Sequence, residues 1–316
     1  MNQNKSNQNK WLTVVKRVWT AMIILGLGYY FSKNYQGILQ HLQSISWVQF
    51  LLSAALLVIG KLFLAEMSRL SVLGDQWRPT YKKMLHLYST IQLSKYLPGG
   101  IWHFVGRFGV YRVNGMDNHD ASRSIIVENV WLISSALLFG GAISLTNESI
   151  LSLIGLTPSS LLKLILILAC LVIWIIVNLV INHIFIKRKE NALTVVRQIL
   201  IQSTVWLFIG LSFFVLLPPD RMNLQTASLA TGGFTIGWAV GYVAIFAPSG
   251  IGVREAIITA ILATQLSPTE AALYAAISRI VWVVTEICLG IFAELVLGSG
   301  NLRKFFSRKQ EEDIAA

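Results

Sequence analysis

The stretch LLKLILILACLVIWIIVNLVINHIFI, Leu161 to Ile186, decides the fold class. Its only Lys, Arg, Asp or Glu is Lys163. A helix rises about 1.5 Å per residue and the hydrocarbon core of a bilayer is about 30 Å thick, so roughly 20 apolar residues cross it. This run is longer than that and reads as a membrane-spanning helix. Working outward, Trp47 to Glu66, Ile125 to Leu145, Ile199 to Leu217, Ala227 to Ala247 and Tyr274 to Leu297 meet the same requirement. Val18 to Phe31 is shorter. It follows Lys16 and Arg17 as a signal peptide would, but ends in Tyr29, Tyr30 and Phe31 without a small-residue cleavage site, so it reads as an uncleaved anchor.

Composition agrees. Of 316 residues, 54% are hydrophobic and 13% charged, against about 25% charged in an average soluble domain. Mean hydropathy is +0.61. The net charge of +11, from 26 Lys and Arg against 15 Asp and Glu, lies mainly in segments between the apolar runs. That distribution fits cytoplasmic loops better than a nucleic-acid surface. Cys170 and Cys288 each sit inside an apolar run and indicate neither a disulfide framework nor a zinc site. No metal or cofactor pattern is present, and none is expected.

Loop charge sets the expected orientation. Lys5, Lys10, Lys16 and Arg17 precede the first apolar run, placing the N-terminus in the cytoplasm. Arg69, Arg78, Lys82 and Lys83 mark an inner loop, as do Lys187, Arg188 and Lys189; Thr146 to Ser160 lacks Lys and Arg and belongs outside. Arg303, Lys304, Arg308 and Lys309 put the C-terminus inside.

Two stretches break the pattern. Leu85 to Tyr111 contains Lys95, Pro98, Gly99, Gly100, His103 and Arg107; Phe246 to Leu266 contains Pro248, Gly250, Gly252, Arg254 and Glu255. Proline removes a backbone donor and glycine loosens the helix, so these segments must face protein or water rather than lipid. Each is either a re-entrant pair of short helices or one full span followed by a shorter helix.

The two breaks align at an offset of about 150 residues: Leu97-Pro98-Gly99-Gly100-Ile101 against Ala247-Pro248-Ser249-Gly250-Ile251, then Ile126 to Trp131 against Ile277 to Trp282. Earlier apolar runs fall on later ones with the opposite expected direction. The expectation is an all-α polytopic membrane protein with an inverted-topology repeat. It has six full spans and two broken or re-entrant segments, about eight membrane segments, and both termini are cytoplasmic. A single membrane domain, 1–297, divides into halves 1–150 and 151–297, and 298–316 forms a cytosolic tail.

Ionisable residues at membrane depth cost roughly 2.5 to 3.5 kcal/mol each on insertion scales and mark candidate sites. Arg254 suits a lipid phosphate and Glu255 a balancing charge or proton acceptor, near a half-helix N-terminus whose glycines expose backbone N–H groups. The alternative is a local Arg254–Glu255 ion pair. Lys95, His103, Arg107 and Arg112 form a cationic set with no acidic residue between Pro98 and Arg112. That set suits an anionic head group, although Arg112, beside a polar loop, reads better as an interfacial residue. Trp102, inside the first break, is a candidate to stack on a sugar or cover a head group. Glu128 and Arg279 occupy equivalent repeat positions and are candidates to pair across a pseudo-twofold axis, tying the halves together. Glu286 also lies within a span, while Lys61, Glu66 and Arg69 carry less weight; Glu66 and Arg69, at helical spacing, suggest a surface pair.

The run Ala247-Pro248-Ser249-Gly250-Ile251-Gly252-Val253-Arg254-Glu255-Ala256 resembles the Pro-Gly-Gly-x-Gly-x-x-Glu-Ala motif of the flippase-like integral membrane family, the transmembrane region of lysylphosphatidylglycerol synthases, with Ser249 in place of the first glycine. Tyr96 to Arg107 resembles the first motif in one branch of that family. Glu128 matches the acid of its Glu-Arg pair, with Asn129 in place of the arginine. The resemblance covers about Trp11 to Leu297. In the larger multiple peptide resistance factors it implies movement of an aminoacylated phospholipid between leaflets, with synthesis in a separate cytosolic domain. Gly298 to Ala316 is too short for such a domain.

The resemblance therefore implies a plasma-membrane carrier, not an enzyme, that handles a phospholipid or a polyprenyl-linked lipid. The alternative is a non-transporting membrane subunit that binds lipid or scaffolds a lipid or cell-envelope glycan pathway. Candidate protein partners are a second copy of the chain or an envelope-synthesis enzyme. No nucleic-acid partner is expected.

Overall fold

The computed structural model describes residues 45–96, 101–153, 155–186, 192–244, 247 and 250–298. The expected anchor Val18 to Phe31, both termini, and Pro98, Gly99, Gly100 and Pro248 lie outside them. Among the described residues the chain is all helical, with no strand.

Helix α1 (Trp47–Leu70) leads to α2 (Tyr81–Ile91), which continues as a 3-10 turn over Gln92–Tyr96; α3 (Trp102–Val113) and α4 (Asn118–Ser144) follow. The short α5 (Glu148–Leu153) precedes α6 (Ser160–Ile181), which runs on as a π segment, Asn182–Ile186. Then come α7 (Ala192–Phe214), α8 (Leu224–Val243), α9 (Val253–Leu262) and α10 (Pro268–Leu297). By length and composition α1, α4, α6 with its extension, α7 and α10 are able to cross a membrane.

Side-chain caps fix the starts. Ser46 and Gln49 form a reciprocal capping box on α1, and Ser267 and Glu270 form another on α10, whose first residue is Pro268. Asp117, Ser159 and Asn223 accept backbone N–H groups at the heads of α4, α6 and α8.

Helix α8 corresponds to the expected span Ala227 to Ala247 but runs from Leu224 to Val243, and it is not among the five apolar enough to cross by composition. The reason is its position. It packs on α4, α7 and α9, and its interior-facing Gly232, Gly233, Gly237 and Gly241 keep neighbouring helices close. A Cβ at Gly241 would stand 2.9 Å from the Cβ of Arg254, and one at Gly237 2.9 Å from Ile258. Small residues permit such approach and lower the apolar content.

Helix α6 is the opposite case. It buries little beyond Trp174, Asn178 and Ile181, with Asn182 just past its end, and turns Leu and Ile side chains outward elsewhere. A ladder of buried amides secures it to α7. Trp174 Nε1 donates to Gln202 Oε1 at 2.6 Å, Gln202 Nε2 to Asn178 Oδ1 at 3.0 Å, and Asn182 Nδ2 to Gln198 Oε1 at 2.8 Å. Measured hydrogen bonds between membrane helices average about 0.6 kcal/mol, so the ladder adds to packing rather than replacing it.

The breaks are now visible from their flanks. The first separates the 3-10 turn at Gln92–Tyr96 from α3; the second separates α8 from α9. Gly250 at φ 71° and Gly252 at φ 87° adopt left-handed backbone that a side chain would strain. A Cβ on Gly250 would also meet the Gly241 carbonyl oxygen at 2.7 Å. The turn lies directly against α8 and delivers Arg254 into the bundle.

Candidate functional site: a buried charge cluster

Glu286 is the hub. Lying on α10 and 4% exposed, it accepts on Oε1 from Lys61 Nζ at 2.7 Å, Lys95 Nζ at 2.6 Å and Trp282 Nε1 at 2.9 Å. Tyr96 OH donates to its other oxygen. Lys61 comes from α1, Lys95 and Tyr96 from the turn before the first break, and Trp282 from one helical turn earlier on α10. A carboxylate has lone pairs for all four donors, which offsets the cost of burying it.

Arg254 enters from the second break. Its guanidinium carbon lies 4.4 Å from the Phe234 ring centroid and 4.8 Å from that of Trp282, while Lys61 Nζ lies 4.0 Å from the same Trp282 ring. Aromatic faces attract cations but supply no hydrogen-bond acceptors of carboxylate strength. Arg254 is 2% exposed, and its Nε and Nη2 have no hydrogen-bond partner among the described residues. Arg279, on α10, acts electrostatically on Lys61, Lys95 and Arg254.

Glu255 does not form the local ion pair weighed as the alternative for Arg254. Its Oε2 accepts the Gly252 N–H at 2.7 Å, capping α9. The acid three residues into the helix serves the helix start and leaves the guanidinium stacked on rings.

A second buried pair lies between α3 and α4. Arg107 Nη1 donates to Glu128 Oε2 and, at 3.4 Å, to Ser68 Oγ on α1; its guanidinium lies over the Tyr88 ring at 5.2 Å. The partner of Glu128 is thus Arg107 in the same half, not the Arg279 pairing considered from sequence. Arg279 belongs with the Lys61 and Arg254 group. The reason is local: α3 folds back against α4 and brings Arg107 to Glu128. The neighbouring Asn129 accepts from Tyr242 OH on α8.

The cationic set of the first half therefore divides. Lys95 reaches Glu286 on a distant helix, Arg107 pairs with Glu128, and Arg112 donates to the Met116 carbonyl at the end of α3. His103 is buried with its ring against Phe104, and Trp102 opens α3 half-exposed. No acid lies nearby in sequence, yet acids meet two of these cations in space. Lys61 and Glu286 are the residues to which sequence gave too little weight. Each stands well inside a long apolar helix, which was the available signal. Glu66 does form the expected pair with Arg69, at 2.6 Å, and also engages Arg197 of α7 at 2.8 Å.

No protein-family model matches the chain, and no curated protein matches it.

Proposed function

We propose that the chain is a multi-pass plasma-membrane lipid carrier, one that passes the anionic head of a phospholipid or polyprenyl-linked lipid through the bundle while its tails stay in the bilayer. The observation that carries this reading is Arg254: a guanidinium buried among aromatic rings, with two nitrogens lacking hydrogen-bond partners among the described residues, and within electrostatic reach of Arg279, Glu255 and Glu286. A phosphate oxygen supplies the acceptors it lacks.

Depth supports the same reading. At about 1.5 Å per residue, Lys61 and Glu286 stand roughly 14 and 17 Å from the nearer ends of their helices, where a charge without a task is costly. So does the arrangement of helices. Packing of α4 on α8 is matched by α10 on α2, α3 on α4 by α9 on α10, and α1 on α2 by α7 on α8, while α1 packs on α7. Exchanging the halves returns this set, as expected for two inverted repeats about a pseudo-twofold axis. The resemblance to flippase-like membrane proteins, residues Ala247 to Ala256 above all, points the same way. Two such halves rocking about a shared site would open it to either leaflet.

Reconstitution into liposomes with fluorescent anionic, zwitterionic and polyprenyl-phosphate lipids tests the reading. Leaflet exchange of at least one anionic class is expected above the rate of empty vesicles. Exchange no faster than in empty vesicles for every class would overturn it.

A further inference from the structure

One aromatic ring gathers three cations. Lys61 Nζ, the Arg254 guanidinium carbon and Lys95 Nζ lie 4.0, 4.8 and 5.7 Å from the Trp282 ring centroid. They arrive from α1, from the start of α9 and from the turn before the first break. One carboxylate serves the two lysines, since Glu286 Oε1 accepts from Lys61 at 2.7 Å and from Lys95 at 2.6 Å. Arg254 is left with Nε and Nη2 unmatched among the described residues.

A phosphate that reaches this edge of Arg254 therefore arrives beside two ammonium groups that already hold an anion. Two anions on one ammonium repel, and in a buried, low-dielectric position the repulsion is poorly screened. Carboxylate and phosphate compete for the lysines. Glu286 keeps two neutral donors whichever wins, Trp282 Nε1 at 2.9 Å on Oε1 and Tyr96 OH on the other oxygen. Those donors hold its charge when the lysines leave.

We propose that Glu286 is the resting occupant of the head-group site, a built-in counter-anion that a lipid phosphate displaces from Lys61 and Lys95 as it binds Arg254. The phosphate prevails on contacts, because it meets all three cations where the carboxylate bonds two. Lys61 thereby becomes a head-group ligand, and Glu286 sets the affinity. The inference rests on the carrier reading for its lipid but is separable from it, because binding is measured without transport.

The test is calorimetric titration of the full chain in dodecyl maltoside with dihexanoyl phosphatidylglycerol, a soluble anionic lipid, and with inorganic phosphate as the probe without a tail. Removing a competitor tightens binding, so Glu286→Gln is expected to bind the lipid roughly tenfold tighter per folded molecule, although it weakens the fold. Were the role of Glu286 only structural, the same change would weaken binding or leave it alone. Glu148→Gln, at an exposed acid, is expected to bind as the unaltered chain does. Lys61→Met is expected to bind roughly tenfold more weakly, and Lys61→Met combined with Glu286→Met to recover most of that loss.

A folded Glu286→Gln that binds no tighter than the unaltered chain would overturn the inference. If Glu286→Gln does not fold, a double variant as weak as Lys61→Met overturns it instead. Equal tightening in Glu148→Gln would also overturn it, in favour of overall charge. Tightening seen with inorganic phosphate and not with the lipid would reassign the site to a soluble anion. Tightening in a protein that exchanges no lipid between leaflets would keep the inference and remove the carrier, and exchange without tightening would do the reverse.

Discussion

At the residue scale, what distinguishes the interior is the contrast between satisfied and unsatisfied charge. Glu286 receives four donors, and Lys61 and Lys95 share one of its oxygens. Removing the acid leaves two ammonium groups buried. Glu286→Gln is therefore expected to destabilise the fold by about 3–5 kcal/mol, measured by unfolding in detergent. Glu148→Gln, at an exposed pair with Lys163, is expected to leave the melting temperature unchanged. Lys61→Met combined with Glu286→Met is expected to cost less than the two single changes added together, because the residues act as a unit. Additive losses would show that the pair is not coupled.

These residues also mark how far sequence reaches. Lys61 and Glu286 are conspicuous as charges inside apolar runs, but they lie 225 residues apart in the chain, and no periodicity states which helices meet. Lys95 was legible as a site residue because it stands beside a helix break. Its partner was not. Arg107 and Glu128 are only 21 residues apart, yet their pairing depends on α3 folding back against α4, which a helical spacing rule does not describe.

At the element scale, position follows from small residues as much as from apolar ones. Five of the six clear spans read from apolar length recur as α1, α4, α6, α7 and α10, and Ser or Asp caps set the starts of all but α7. Helix α8 was legible as a helix but not as the centre of the bundle, since its glycines look like weakness until a partner is seen against them. Arg254 and Gly250 both press on Gly241. Gly241→Ala is expected to cost about 1–3 kcal/mol through overpacking and to slow lipid exchange by displacing Arg254. Gly141→Ala, where a new Cβ meets nothing within 4 Å, is expected to be neutral or to stabilise α4 by up to about 1 kcal/mol. Similar losses at both positions, by unfolding and by exchange rate, would contradict the role given to the α8–α9 contact.

At the scale of the whole molecule, charge divides between the segments that join the helices and a few residues buried among them. The loop charges predict that Ser152 and Asp220 face outward and His119 inward. Single cysteines at these positions, in a background with Cys170 and Cys288 replaced by alanine, test this with a membrane-impermeant maleimide. Ser152→Cys and Asp220→Cys are expected to react in intact cells, and His119→Cys only after permeabilisation; the opposite pattern would invert the topology. If the chain carries lipid as proposed, a buried guanidinium rather than general basicity moves it.

The most direct measurement is the initial rate of leaflet exchange of a fluorescent anionic lipid in proteoliposomes bearing the unaltered chain, Arg254→Ala or Arg112→Ala. Arg254→Ala is expected to fall to the rate of empty vesicles while Arg112→Ala, at the end of α3, keeps most of its activity. Equal rates for Arg254→Ala and the unaltered chain, or equal loss in both variants, would contradict the assignment of the site to Arg254.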